Sequence, residues 1–249
     1  MDTVPFAFIE TVTNNFSSCS REFNKFAGLA APWSSIAKIR LTKQKFNVSF
    51  YLTEEGPFFD CGKLDLSTFD PHLHDVDDIQ ISCHSRKTPK ELNEAAAKAM
   101  VAIFSRQQGR FDWVVISSFD KCVQRYPLIL KIMNAIHGCK VLEINGKVSH
   151  SLDLVENTQE LRCSNILPQV LETNVLNIVT SENSVRIFCD ISARNHVFIK
   201  QLVKAMNGQA ANEQFQLVLN REQTLDYKHE WSNGYIRHSY GSFHFSKTF

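Results

Sequence analysis

Glycine is scarce in this chain, and the motifs that glycine builds are missing with it. Only nine of the 249 residues are glycine, so few loops bring backbone N–H groups close to a phosphate. The sequence contains no G-x-S-x-G, G-x-x-x-x-G-K-[ST], G-x-G-x-x-G or H-E-x-x-H. Nucleophile elbows, phosphate cradles and zinc helices therefore have no sequence support. We expect a protein that is not an enzyme and needs no cofactor.

An excess of charge and long apolar runs are also missing. The formal net charge is +1, which excludes broad electrostatic capture of nucleic acid or of an anionic membrane surface. No window approaches the ~20 apolar residues that span a bilayer, and the N-terminus lacks a secretory signal. The seven cysteines are scattered without a C-x-x-C pair. This distribution is typical of cysteines that serve as small buried apolar residues in a reducing compartment. These features predict a cytoplasmic or nuclear protein.

One acidic segment contains side chains of the types that bind metal ions. Structural zinc sites pair Cys or His at fixed spacing on both sides of a loop, and only one side has that form here. We therefore favour a solvated acidic loop and predict no metal site. The candidate ligands are His72, His74, Asp75, Asp77, Asp78, Cys83 and His84.

The chain from Lys45 onward alternates between strand and helix patterns. Phe46, Val48, Phe50 and Leu52 alternate as on one face of a strand, and a hairpin partner follows. The segment from Thr88 to Gly109 predicts a helix with Thr88 as N-cap and Glu91 completing a capping box. Further strands are predicted at 113–117, 140–144, 160–164, 175–179 and 185–191, further helices at 125–136 and 194–208, and two strands at the C-terminus.

This order predicts a mixed α/β sheet domain with flanking helices. A degraded leucine-rich-repeat array is the alternative, because "LRCSNILPQ" has the composition of one leucine-rich turn. The first apolar residues of four predicted strands are irregularly spaced, whereas a repeat array would hold one period, so the sheet domain is preferred. These residues are Trp113, Val141, Leu161 and Val175. The aromatic C-terminus suggests either a binding surface or a hairpin that turns at Asn233-Gly234 with its aromatic side chains packed inward, and we favour the hairpin. Its residues are Trp231, Tyr235, Arg237, His238 and Tyr240.

The first forty residues predict three short helices. Apolar residues recur at helical spacing over 4–16 and again over 23–33, and Pro32 separates the second helix from the third. The spacing resembles a divergent F-box, the three-helix module that attaches proteins to the Skp-type adaptor of cullin ubiquitin ligases. Val4-Pro5 matches the opening Leu-Pro of that family, and Trp33 matches its closing Trp. Ala31-Pro32 stands where the family usually has a basic pair.

The chain is also similar to nematode F-box and F-box-associated proteins. The resemblance implies a substrate-recognition subunit of a cullin-type ubiquitin ligase, with an F-box-like module over 1–43 and a mixed α/β recognition domain over 44–249 that binds an unknown target protein. The adaptor-binding residues that it implies are Val4, Pro5, Phe8, Ile9, Val12, Phe26, Leu29 and Trp33.

A non-enzymatic interaction protein without ligase docking is the alternative function. In that protein the N-terminal helices would be part of the core, so Phe8, Ile9 and Val12 would be buried. Their burial therefore discriminates between the two hypotheses.

Overall fold

The computed structural model describes most of the chain as a mixed α/β protein. The described residues are 5, 8–9, 12–13, 21–83, 89–107, 110–117, 126–146, 148, 153–180, 186–192, 196–207, 214–220, 226–239 and 242–247. The chain is divided into two compact units. The first contains residues 1–114 and 123–140, and the second contains residues 115–122 and 141–249. Strands β5 (Phe111–Ser117) and β6 (Cys139–Asn145) are each divided between them.

The first unit combines helices with a sheet of order β4-β2-β1-β3-β5. Strand β1 pairs antiparallel with β2 and parallel with β3. The elements are α1 (Arg21–Ala27), α2 (Trp33–Thr42), β1 (Gln44–Leu52), β2 (Pro57–Asp60), a short 3-10 helix (Leu66–Thr68), β3 (His74–Ser82), β4 (Lys90–Glu91), α3 (Glu94–Arg106) and α4 (Pro127–Asn134).

The alternating pattern of β1 is confirmed. Phe46, Val48, Phe50 and Leu52 are all buried, whereas Asn47 between them is exposed. The predicted hairpin is confirmed as well, because Phe50 lies opposite Phe59 in the antiparallel β1–β2 ladder. Alternation of side chains between the two faces of a strand explains why this signal is readable in the sequence.

Helix α3 begins later than the sequence predicts. Its N-cap is Asn93, whose side-chain Oδ1 accepts a hydrogen bond from the N–H of Ala96 at 2.9 Å. Lys90 and Glu91 instead form β4, opposite Phe59 and Phe58 of β2. That pairing takes the backbone away from the helical path, so the expected capping box at Glu91 does not form. Thr88 and Gly109 lie outside the described residues.

The second unit has the strand order β6-β7-β8-β11-β10-β9. Strand β7 runs parallel to β8, and β8 pairs antiparallel with β11. The C-terminal hairpin that we expected to turn at Asn233-Gly234 does not turn there, because both residues lie within β10; the β10–β11 ladder instead brings Ser239 opposite Ser242. The elements are β7 (Thr158–Ile166), α5 (Glu172–Thr180), β8 (Arg186–Ser192), α6 (His196–Asn207), β9 (Gln214–Asn220), β10 (Asp226–Ser239) and β11 (Ser242–Lys247), with 3-10 turns at Asp153–Asn157 and Gln169–Leu171.

The strand predicted at 175–179 is wrong, since these residues belong to helix α5. Asn174, Val175, Ile178 and Val179 are buried, which is the i, i+1, i+4, i+5 spacing of one helix face. A short apolar run has no periodicity of its own and fits a buried strand equally well. None of the helices in the described ranges is long and apolar enough to cross a membrane.

Candidate functional site

The first described residues form a helical segment with two distinct faces. The N–H groups of Phe8 and Ile9 donate to the carbonyl oxygen of Pro5 at 3.0 and 3.3 Å, and Val12 and Thr13 are helical as well. Ile9 and Thr13 are fully buried. Phe8 is 54% exposed, Pro5 is exposed and Val12 is half-buried. Residues 5, 8 and 12 share one side of a helix, so this outward side carries the accessible apolar groups.

This geometry divides the predicted adaptor-binding residues. Phe8 is available to a partner, whereas Ile9 has no accessible surface and serves internal packing. The difference follows from the 100° rotation per residue in a helix, which sends neighbouring side chains to different sides. Val4 lies outside the described residues. The first helix of the expected three-helix module is therefore seen only at these few positions.

The second part of the candidate site is the α1–α2 corner. The rings of Phe26 and Trp33 stack at a centroid distance of 5.3 Å with an interplanar angle of 17°, and both side chains are half-buried. Leu29 lies in the connection between the helices and is 50% exposed. The Ala31-Pro32 peptide bond is cis, and Pro32 is the N-cap of α2. The sequence prediction that a helix starts at Pro32 is confirmed to within one residue.

Helix α2 has an outward face that sequence reasoning missed. Ile36, Ala37 and Arg40 are buried, whereas Ile39 on the other side is 57% exposed. The signal was present in the sequence, because apolar residues at 36, 37, 39 and 41 surround a ten-residue helix and no single face buries all of them. The outward face consists of Ser35, Lys38, Ile39 and Thr42, all exposed.

A buried ion pair fixes the end of α2 to the sheet. Lys43 stands between α2 and β1, and its Nζ lies 3.0 Å from Oδ1 of Asp75 on β3. The same ammonium group donates to the carbonyl oxygen of Pro71 at 2.6 Å. Only 4% of the Lys43 side chain and 12% of the Asp75 side chain are exposed. The predicted boundary between the N-terminal module and the recognition domain therefore falls at Lys43, whose side chain contacts Asp75 on β3.

Residues 74–78 of the acidic segment, which we expected in an irregular loop, belong to a strand. His74 to Ser82 form β3, with Asp75 paired to Lys43 and the Asp77 carboxylate 3.2 Å from Nζ of Lys45. Nδ1 of His74 accepts the N–H of Asp70 at 3.1 Å. The charges were mistaken for a loop because their cationic partners lie some thirty residues earlier in the chain. These interactions pair Asp75 and Asp77 with cationic side chains.

The described part of the segment offers no constellation of metal ligands. Within the described ranges, no group of three or more His, Cys, Asp or Glu side chains is arranged to hold a metal ion. His84 lies outside them. Burial raises the pKa of Asp77 above its ordinary value despite the nearby Lys45, and burial together with Asp77 and Asp112 raises the pKa of Asp78.

Comparison with known proteins adds no assignment to this geometry. No known protein family, no curated protein and no solved structure matches the chain.

Proposed function

We propose that this protein is a substrate-recognition subunit of a cullin-type ubiquitin ligase. The observation that carries the proposal is the outward exposure of two large apolar side chains, Phe8 and Leu29, in the N-terminal segment that resembles an F-box. The stacked rings of Phe26 and Trp33 give the corner next to Leu29 a rigid shape. In this proposal the N-terminal module has three helices and binds a Skp-type adaptor.

The energetics favour a binding role for these side chains. Burying apolar surface contributes about 25 cal/mol per Å², so an exposed Phe and an exposed Leu gain on contact with a partner. A few such anchors supply most of the energy of many protein interfaces, with about 2 kcal/mol or more lost when one is truncated. Amphipathic helices commonly dock in this way into an apolar groove.

The rest of the chain has the complementary role in the proposal. Residues after Lys43 bind a target protein, and the ligase partners carry out the ubiquitin chemistry in the cytoplasm or the nucleus. In this proposal the alternating strands and helices after Trp113 provide the target surface.

One observation favours a second candidate function, an interaction protein without ligase docking. Ile9 and Thr13 are fully buried, so one face of the first helical segment belongs to the core in that hypothesis. The outward face with Phe8 is the reason that we place ligase docking first.

Binding to a purified Skp-type adaptor tests the proposal. We expect the wild-type chain to capture the adaptor, and Phe8→Asp and Leu29→Asp to abolish capture while the circular dichroism spectrum is unchanged. Val197→Asp is the matched control, because Val197 on α6 is 70% exposed and lies in the second unit. Ile9→Asp is unsuitable as a docking variant, since a buried charge destabilises the fold. A folded wild-type chain that captures no adaptor would refute the proposal in favour of the second candidate.

A further inference from the structure

The outward face of α2 combines exposed apolar surface with an exposed positive charge. Ser35, Lys38, Ile39 and Thr42 follow the i, i+3, i+4, i+7 spacing and are all exposed. Ile39 is 57% exposed. Lys38 is its immediate neighbour, and no acidic residue occurs anywhere in α2. This face is separate from the residues that the F-box resemblance implies.

Positive charge is concentrated in this part of the chain. Residues 21–45 contain six cationic side chains and one acidic one, in a protein whose net charge is only +1. Inside the fold, Asp75 and Asp77 neutralise Lys43 and Lys45, and Arg40 is buried. Among the side chains that the structure describes in this part of the chain, Lys25 on α1 and Lys38 on α2 are the exposed cations. The six cationic residues are Arg21, Lys25, Lys38, Arg40, Lys43 and Lys45.

We propose that Lys38 and Ile39 form a docking contact for an apolar patch with an acidic rim on the partner protein. This inference rests on the proposed function and specifies the chemistry of the adaptor surface. The charge complementarity follows from the exposed ammonium groups of Lys38 and Lys25 and from the lack of an acidic residue in α2. Ile39 enters the apolar centre of the contact, and the lysines face the carboxylates around it.

A protein partner fits this face better than an anionic membrane does. Helices that lie on membranes present a wide apolar face rich in Trp, Phe and Leu, with several cations beside it. Helix α2 has ten residues, and its only aromatic side chain, Trp33, is half-buried against Phe26. The two exposed apolar side chains of α2, Ile39 and Leu41, and the adjacent Lys38 form a contact of the size found at the edge of a protein interface.

Adaptor binding measured against ionic strength tests the inference. We expect Lys38→Glu to weaken binding five- to tenfold at low salt, mainly through slower association, and to reduce the salt dependence. Ile39→Ser should weaken binding to a similar extent at every salt concentration. Lys98→Glu is the matched control, because Lys98 is an exposed lysine on α3 of the same unit and its reversal should leave affinity within twofold.

Each remaining result decides a different question. If the adaptor binds and Lys38→Glu behaves like Lys98→Glu, the inference is overturned and the proposed function stands. If the wild-type chain binds no adaptor, the proposed function is refuted, and the inference that rests on it is refuted as well. If the chain instead binds phosphatidylserine vesicles and Lys38→Glu abolishes that binding, the partner of this face is a membrane and the inference is overturned.

Discussion

The ion pair between Lys43 and Asp75 is a buried polar contact of the first unit. Both side chains are almost completely buried, and the Lys43 ammonium also satisfies the carbonyl oxygen of Pro71. A buried pair gains little over an apolar replacement of both partners, but removal of one partner leaves an uncompensated charge. The stability of the helix-to-sheet connection is therefore sensitive to either residue.

Lys43→Met should lower the free energy of unfolding by about 3–5 kcal/mol, because the Asp75 carboxylate stays buried without its cation. Urea denaturation at pH 7 measures the loss. Lys45→Met is the control, since 28% of the Lys45 side chain is exposed and the loss of a partly solvated pair should be about 1 kcal/mol or less. Equal losses for the two variants would contradict this account.

The ionised carboxylates of Asp77 and Asp78 lower the free energy of unfolding. Their pKa values are raised in the folded protein above the ordinary 3.8, mainly by desolvation. The folded state therefore binds these protons more tightly than the unfolded state does. The resulting stabilisation is fully present below pH 3.8 and is lost as the pH rises through the raised folded pKa values.

Asp78→Asn should consequently stabilise the protein at pH 7 and bring no gain at pH 3. The expected increase at pH 7 is of the order of 0.5 kcal/mol, as for one unfavourable charge contact between strands. Thermal unfolding of the wild-type and variant proteins from pH 3 to pH 7 provides the measurement. A gain of equal size at both ends of this range would show that charge is not the cause.

At the scale of elements, helix α3 depends on its N-cap. Asn93→Ala removes the acceptor of the Ala96 N–H and should cost about 1 kcal/mol of unfolding free energy. Asn93→Asp and Asn93→Ser retain an acceptor at this position and should cost less than half as much. The denaturation midpoints of the three variants give the comparison, and an alanine variant as stable as the wild type would refute the capping role.

Elements with an internal period were predictable from the sequence, and those defined by distant partners were not. Strand β1 alternates regularly, so its existence and its buried face could be read directly. The acidic composition of β3 is typical of a loop. The sequence alone does not show that Asp75 and Asp77 are neutralised by Lys43 and Lys45, which lie outside β3. The start of α3 was shifted because pairing of Lys90 and Glu91 with β2 competes with the helix. Tertiary interactions decided both cases.

The predicted adaptor-binding residues show the same limit. The sequence correctly placed a helix at Phe8 and a break before Trp33, since both follow from local spacing and from Pro32. It could not say which of Phe8 and Ile9 points outward, because adjacent apolar residues satisfy the same pattern. It also missed Ile39, whose exposure depends on which face of α2 the rest of the first unit covers.

At the scale of the whole molecule, the proposed function divides the chain into two parts. The N-terminal segment binds a ligase adaptor, and the sheet-containing body binds a target. The segment and the first strands belong to one compact unit, and only Lys43 separates α2 from β1. The absence of a long connection means that a partner bound to α1 and α2 is held close to the sheet of that unit.

Amide hydrogen exchange of the intact protein, with and without a purified Skp-type adaptor, tests the central claim most directly. The account predicts slower exchange on adaptor addition within residues 5–42, with no change in α3. Unchanged exchange throughout residues 5–42 at saturating adaptor would contradict it.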